Sequence, residues 1–280
     1  MTERLSEDQF RAVLTGESAE LARMRGLLRR LPSPPHCKLC AAPFAGPGGV
    51  VLRRFGFARS AVNPQLCNNC LTGFVKRGIT GAEIPVTLVF ADVRGSTSIG
   101  ESMRPVDFRA YLDRFYRLGS RAILEHDGLV DKLVGDEIIG LFFGGITGRH
   151  HAAAAVAAAR ALLRAAARPD ATPSGPIPVG AAAHTGVAYV GTTGPEGAVT
   201  DFTALGDVVN TTARVAAAAV AGELLVTTDA AAAAELDRSN LAERRFEPAR
   251  PDRSDRGGIA HRLVHSLVTP VARRHRSPPP

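Results

Sequence analysis

The four cysteines of this 280-residue chain fall in two tight pairs, Cys37-Lys38-Leu39-Cys40 and Cys67-Asn68-Asn69-Cys70, with 26 residues between them. Each CxxC turn lets two thiolates converge, and two such turns supply the four-sulfur tetrahedron that zinc accepts in structural sites. The stretch between the pairs is rich in glycine and proline and could not form much core by itself, so a metal crosslink would supply the missing stability. An iron–sulfur cluster or a redox dithiol pair would use the same residues and is the alternative. His36, beside Cys37, is superfluous to a complete four-cysteine set and reads as a surface histidine.

The cysteine pairs confine a small zinc-ribbon-like module to residues 35–80, and the chain is long enough for one larger domain beside it. Upstream, over residues 1–34, Ser6 and Gln9 form a capping-box pattern, and Leu21, Met24, Leu28 and Leu31 recur at helical spacing. Two short helices are predicted, packing locally or against a second copy, and the run Pro32-Ser33-Pro34-Pro35 ends them. The larger domain is expected over residues 82–235, followed by an extension over 236–280 with a basic, proline-rich tail.

Within the larger domain the pattern alternates. Thr87–Asp92 reads as a strand, and Phe108, Leu112, Phe115 and Ile123 mark an amphipathic helix closed by Asp127-Gly128. Residues 128–134 and 137–143 read as two strands joined through Gly135-Asp136. An alanine-rich helix follows over 151–167, then a second hairpin predicted across Thr185-Gly186, a helix capped by Asp207, and a short strand over 223–227. This alternation implies an α/β sandwich with a mixed sheet.

Several residues in this domain carry chemistry. Asp92 ends a buried-looking strand and Asp136 sits in a hairpin turn; if the strands adjoin, the two carboxylates converge and suit Mg2+ or Mn2+ held together with substrate phosphates. Aspartate in a turn also serves the turn alone. Gly95, Ser96 and Thr97 lie between a strand and a helix, where backbone N–H groups can cradle a triphosphate. Asn210 and Arg214, four apart, share one helix face, which is equally the pattern of a polar surface. Lys132, one of only three lysines, lies in an apolar strand and requires an acceptor.

The segments FADVRGST (90–97), KLVGDEIIGLF (132–142), HTG (184–186) and FTALGDVVNTTARV (202–215) occur in the order found in the class III nucleotidyl cyclases, and the chain resembles that family over residues 86–228. The resemblance implies a ferredoxin-like, palm-type α/β sandwich. It assigns Asp92, Asp136 and the Val93 carbonyl to two Mg2+ or Mn2+ ions, Lys132 and Thr203 to the purine, Asn210 to the ribose and Arg214 to the transition state. Threonine at position 203, where many adenylyl cyclases carry aspartate, resembles the class IIIb subset. Adenine offers an acceptor at N1 and a donor at N6, which a lysine and a threonine hydroxyl can complement, so ATP is expected rather than GTP. The resemblance further implies a head-to-tail homodimer with shared sites, the metal aspartates coming from one subunit and Lys132, Thr203, Asn210 and Arg214 from the other.

Elsewhere the sequence says less. Arg250 and Arg253 are candidates for a triphosphate contact by position only, and His184 is expected to pack structurally. Much of the basic excess behind the formal net charge of +7 lies late in the chain, and the tail bearing Arg273, Arg274 and Arg276 has no interleaved aromatics for stacking on bases, so a solvated tail is expected rather than a nucleic-acid surface. The long alanine run is broken by Arg160 and Arg164, and the charged N-terminus lacks a secretory apolar segment, so a cytoplasmic protein without a membrane span is expected. The competing readings are a guanylyl cyclase and a nucleotide-responsive regulator of little turnover whose zinc module binds a protein or nucleic acid.

Overall fold

The computed structural model describes residues 7–31, 34–61, 63–75, 80–173, 175–194, 201–237, 239, 242–246 and 262–268. Ser6 of the capping box, Arg250 and Arg253 lie outside these residues. Helices α1 (Glu7–Thr15) and α2 (Ala19–Leu28) open the chain, and Ser18 caps α2 by accepting a hydrogen bond from the Leu21 N–H. The cysteine module contributes α3 (Gly46–Arg53) and α4 (Asn68–Val75).

The larger domain then runs β1 (Gly81–Val93), α5 (Ser96–Glu101), α6 (Pro105–Glu125), β2 (Leu129–Val134), β3 (Glu137–Phe143), α7 (Gly144–Thr147) and α8 (His151–Ala166). It continues through β4 (Val179–Thr193), β5 (Asp201–Leu205), α9 (Asp207–Ala218), β6 (Glu223–Thr227), α10 (Thr228–Ala233), β7 (Ala242–Phe246) and β8 (Arg262–Val268). The strands form one mixed sheet in the order β2-β3-β1-β4-β6-β8-β7, with β5 paired to β4. Among the described residues, only the β4–β6 pairing is parallel. The predicted α/β sandwich is therefore the observed architecture, and the extension after residue 235 closes it with the β7–β8 hairpin.

Strand β1 divides the molecule by side-chain alternation. Ile84, Val86, Leu88 and Phe90 point to one face, where α1, α2, α9 and the cysteine module pack. Val89, Ala91 and Val93 point to the other, against α6, α8 and α10. The alanines of α8, among them Ala155, Ala158 and Ala159, are buried and let that helix lie close to the sheet.

Two local expectations are corrected. Thr185-Gly186 does not turn: β4 is continuous from Val179 to Thr193, because β1 is long enough to pair with it on both sides of this dipeptide, with Thr87 opposite Thr185 and Val86 opposite Gly186. The glycine is there for packing, since a Cβ at 186 would lie 3.0 Å from Val208 Cγ2 of α9. Asp207 is the first residue of α9 rather than its cap; the cap is Gly206, whose φ of +134° suits a residue without a side chain.

The N-terminal helices belong to the main core. Phe10 and Leu14 are buried with β1 residues, and Arg25 Nη1 and Nη2 donate to the carbonyls of Gly145 and Ile146 at 2.7 and 2.8 Å. This contact depends on Gly144, where a Cβ would sit 2.0 Å from the Thr15 carbonyl oxygen. Gly144→Ala should therefore destabilise the protein by about 1–3 kcal/mol in urea unfolding, through forced separation of α1 from α7. A change near zero would show that α1 is not docked there.

Candidate active site

The β1–β3 register sets the acidic end of the site. Asp92 pairs opposite Glu137, and Gly135, at φ +59°, turns the chain so that the Asp136 carbonyl accepts from the Val93 N–H at 3.1 Å. Asp92 and Asp136 are thereby brought to the same edge of the sheet. Arg94 forms a 2.7 Å ion pair with Asp92 Oδ1, but its orientation leaves that oxygen without a hydrogen bond. The same guanidinium donates to the carbonyls of Ala216 and Ala217 at the end of α9, at 2.5 and 3.2 Å.

Burial pushes the Asp92 carboxyl up to about 6, with Asp136 adding to the rise and Arg94 opposing it. Burial, then Asp92 and Asp136, push Glu137 up to about 7. The charges of Asp92, Asp136 and Glu137 thus act on one another beside a single guanidinium, and carboxylate oxygens are the donors that suit a hard divalent cation such as Mg2+ or Mn2+. Beside them Gly95, in the left-handed region at φ +71°, caps the short α5, at whose start Ser96 and Thr97 lie.

A second group forms where β2 meets β5. The register of β2 shifts between Val130 and Lys132. Lys132 Nζ lies 2.8 Å from Asp201 Oδ2 and donates to Thr203 Oγ1 at 3.0 Å. The buried Thr203 hydroxyl donates in turn to Asp131 Oδ2 at 3.1 Å. Burial raises Asp131 to about 6, against the lowering effect of Lys132 and the Thr203 hydrogen bond. The acceptor that Lys132 requires is therefore the pair Asp201 and Thr203.

The third group lies on α9. Asn210 is exposed, and Arg214 Nε donates to its carbonyl at 3.3 Å while Nη2 lies 3.5 Å from Asp207 Oδ1. Among the described residues, no hydrogen bond or ion pair joins Asp92 or Asp136 to Lys132, Thr203, Asn210 or Arg214. Lys132 and Thr203 are brought together; the acidic edge and the face of α9 are not. Sequence reasoning missed Asp131, Asp201, Arg94 and Glu137, although each sits within two residues of a residue it singled out. A carboxylate next to a lone strand lysine was the available signal.

The cysteines converge as their spacing predicts. Cys37, Cys40, Cys67 and Cys70 place all four sulfurs within 4.8 Å of one another, and Cys40 Sγ and Cys67 Sγ are 3.7 Å apart. Four sulfurs about 2.3 Å from one zinc would lie about 3.8 Å apart, so the cluster fits that ion. The Cys67 N–H donates to Cys37 Sγ at 3.3 Å and the Cys70 N–H to Cys67 Sγ at 3.4 Å, contacts that favour thiolates. Hydrogen bonds from the other three thiols hold Cys37 below the ordinary thiol range, and the bonds they give it push Cys40 and Cys70 up. His36 stands aside, its Nε2 3.1 Å from the Leu31 carbonyl. His184 is buried against Thr227, 2.8 Å away, as a packing histidine should be.

Residues 82–250 match the family described as the adenylate and guanylate cyclase catalytic domain. An adenylate cyclase of Anabaena cylindrica is 31% identical over 157 residues, covering 53% of this chain and 31% of that protein. Adenylate cyclase 1 of Rhizobium meliloti (strain 1021) is 30% identical over 135 residues, covering 46% and 20%. The chain therefore matches less than a third of the length of either relative. Among solved structures, the guanylyl cyclase Cya2 superposes with a TM-score of 0.60 at 25% identity, covering 71% of this chain and 98% of the other. The adenylyl cyclase CyaB from P. aeruginosa shares the fold with a TM-score of 0.55 at 22% identity, covering 69% and 98%. No helix among the described residues is long and apolar enough to cross a membrane.

The Asp131 carboxyl gives a pH test of this geometry. Its value rises from 3.8 to about 6, so between those values the folded chain keeps a proton that the unfolded chain has lost. Asp131 therefore lowers stability as pH climbs through that window. Urea unfolding should show Asp131→Asn gaining on the native chain by on the order of 1–3 kcal/mol between about pH 4 and about pH 7. Parallel pH profiles would show that the carboxyl is not desolvated.

Proposed function

This chain belongs to the adenylate and guanylate cyclase catalytic domain family, and on that premise we propose that it is an adenylyl cyclase, closing ATP to cyclic AMP and pyrophosphate. The observation that carries the choice of purine is the hydrogen-bond chain from Lys132 through Thr203 to Asp131. With its proton given to Asp131, the Thr203 hydroxyl turns an acceptor outward. That acceptor takes the N6 amino group of adenine while Lys132 donates to N1. Guanine would set its N1–H against the ammonium and its O6 against the threonine acceptor, a mismatch at both points. The fold neighbour Cya2, a guanylyl cyclase, favours GTP as the second reading.

Asp92, Asp136 and the Val93 carbonyl would hold two Mg2+ or Mn2+ ions, which when bound neutralise triphosphate charge and make the ribose 3′-hydroxyl more acidic. Gly95, Ser96 and Thr97 offer backbone N–H groups to the phosphates, and Asn210 holds the ribose. The 3′-oxygen attacks the α-phosphorus in line, the bond to pyrophosphate breaks, and the hydroxyl proton leaves to solvent. Arg214 meets the charge that grows on the α-phosphoryl oxygens, with no covalent enzyme intermediate.

The separation of the acidic edge from the Lys132, Thr203, Asn210 and Arg214 groups supports a head-to-tail homodimer, each site drawing on two subunits. So does apolar exposure near those groups: Leu133, Val134, Val187 and Leu205 are 47–61% exposed. Zn2+ on Cys37, Cys40, Cys67 and Cys70 completes the proposal as a structural ion.

The decisive assay supplies Mn2+ with ATP or GTP and measures cyclic nucleotide and pyrophosphate. Arg214→Ala should lower kcat about a hundredfold, and mixing it with Asp92→Ala should restore activity by building one intact site per heterodimer. Heterodimers without recovery would exclude the shared site. Asp131→Asn can turn an amide N–H toward Thr203 and free its hydroxyl to donate, so the ATP-to-GTP ratio of kcat/KM should fall about tenfold. An unchanged ratio would take Asp131 out of purine selection.

A further inference from the structure

Outside the nucleotide site, α2, the cysteine module and the end of α6 line an open cavity of about 800 Å3. Its walls carry Arg25, Arg29, His36, Lys38 and Arg59 against a single carboxylate, Asp127. Three of the cationic or basic groups are engaged. Arg25 holds the Gly145 and Ile146 carbonyls, Lys38 donates to the Leu124 carbonyl at 2.7 Å and lies 3.4 Å from Asp127, and His36 meets the Leu31 carbonyl. Arg29 and Arg59 form no ion pair with any described residue. The charge is felt inside the cavity, because burial and then the Arg29 charge lower the Arg25 pKa.

The lining also has a flat apolar element. The Arg59 guanidinium lies 5.0 Å from the centroid of the Phe44 ring, and Pro35 and Pro64 flank it. Two guanidiniums without counter-ions suit phosphate, and an aromatic ring beside an arginine suits a planar base. The volume lies within the range of about 300–1,000 Å3 usual for small-molecule sites.

One wall residue touches the purine-facing strand. Gln65, two residues before Cys67, donates through Nε2 to the Val130 carbonyl and accepts the Val130 N–H on Oε1, both at 2.9 Å. Val130 is where the β2 register shifts, two residues before Lys132. A shift of the cavity wall therefore reaches the lysine through one side chain clamped to both backbone groups of a bulge.

We propose that this cavity is a regulatory site for a phosphorylated small molecule of nucleotide size, whose occupancy is transmitted to Lys132 through Gln65. Binding at the cavity is independent of the cyclase reading; its effect on turnover rests on it.

The test uses the full chain without added divalent cation and titrates AMP and inorganic pyrophosphate by calorimetry. AMP should bind, and Arg29→Glu and Arg59→Glu should each weaken it at least about tenfold, a loss of about 1.4 kcal/mol. Phe44→Leu should weaken AMP but not pyrophosphate. Lys132→Ala should remove any AMP held at the nucleotide site and leave binding at the cavity in place. Circular dichroism and thermal unfolding check that each variant is folded, and Arg29→Lys should retain most of the affinity. No binding of either probe, insensitivity to both glutamate variants, or complete loss of AMP binding in Lys132→Ala would overturn the site. For transmission, Gln65→Ala should keep AMP binding but abolish any AMP-dependent change in kcat at saturating cyclase substrate, which simple competition at the nucleotide site leaves unaltered. A kcat response that persists in Gln65→Ala, or native kcat that AMP leaves unchanged, would overturn the coupling. Absence of turnover in every form would count against the cyclase reading and leave the binding result standing.

Discussion

The antiparallel register of β1 and β3 gathers carboxylates where the chain supplies too little positive charge. With Asp92 opposite Glu137 and the Asp136 carbonyl tied to the Val93 N–H, the backbone fixes the acids before any ligand arrives. Arg94 is the cation paired with Asp92, and it is also tethered to the last carbonyls of α9. Burial is the main cause of the raised Asp92 and Glu137 values, and neighbouring carboxylates add to both. Retaining such a cost is common at functional sites, and the proposed cation would relieve it. The rest of the sheet serves to hold that end rigid, since β1 pairs along its whole length with β4 on one side and from Val86 to Asp92 with β3 on the other.

Much of this was legible in the sequence because it is local. The CxxC pairs, the strand ending at Asp92, the turn at Gly135-Asp136 and the i, i+4 pair Asn210 and Arg214 each depend on a few adjacent residues. What the sequence hid depends on distant partners. Thr185-Gly186 looks like a hairpin turn until the length of β1 is known, and then the pairing partners on either side hold it extended. Asp131 looks like a polar interruption of β2 until Thr203, far along the chain, is found donating to it. Gly144 and Gly145 look like loop residues until the carbonyls of α1 are found against them. In each case the hidden constraint is a contact across many residues, which spacing and periodicity do not encode.

The cysteine module illustrates the same point at the scale of a domain. Read alone, the segment between the cysteine pairs is rich in glycine and proline and could not form much core by itself. In the structure Leu39, Leu66 and Leu71 join the core that also contains Phe10, Leu14 and the inner residues of β1. The module is thus an extension of one face of the sheet, and a bound metal would brace that face as well as the cysteines.

That shared face gives the two ends of the molecule a common mechanical frame. Helix α9, bearing Asn210 and Arg214, packs on the same side of the sheet as the module, while its C-terminal carbonyls are held by Arg94 beside Asp92. Gln65 of the module holds Val130, two residues before Lys132, and β5 holds Lys132 itself through Asp201 and Thr203. The polar groups of the site are therefore not set by their own strands alone. Because packed cores respond to displacement in discrete rearrangements rather than by smooth yielding, a change at the cysteine module would have a route to the residues proposed to face the purine. The α6, α8 and α10 side, filled by closely packed alanines and Phe115, provides the rigid backing against which such a movement would act.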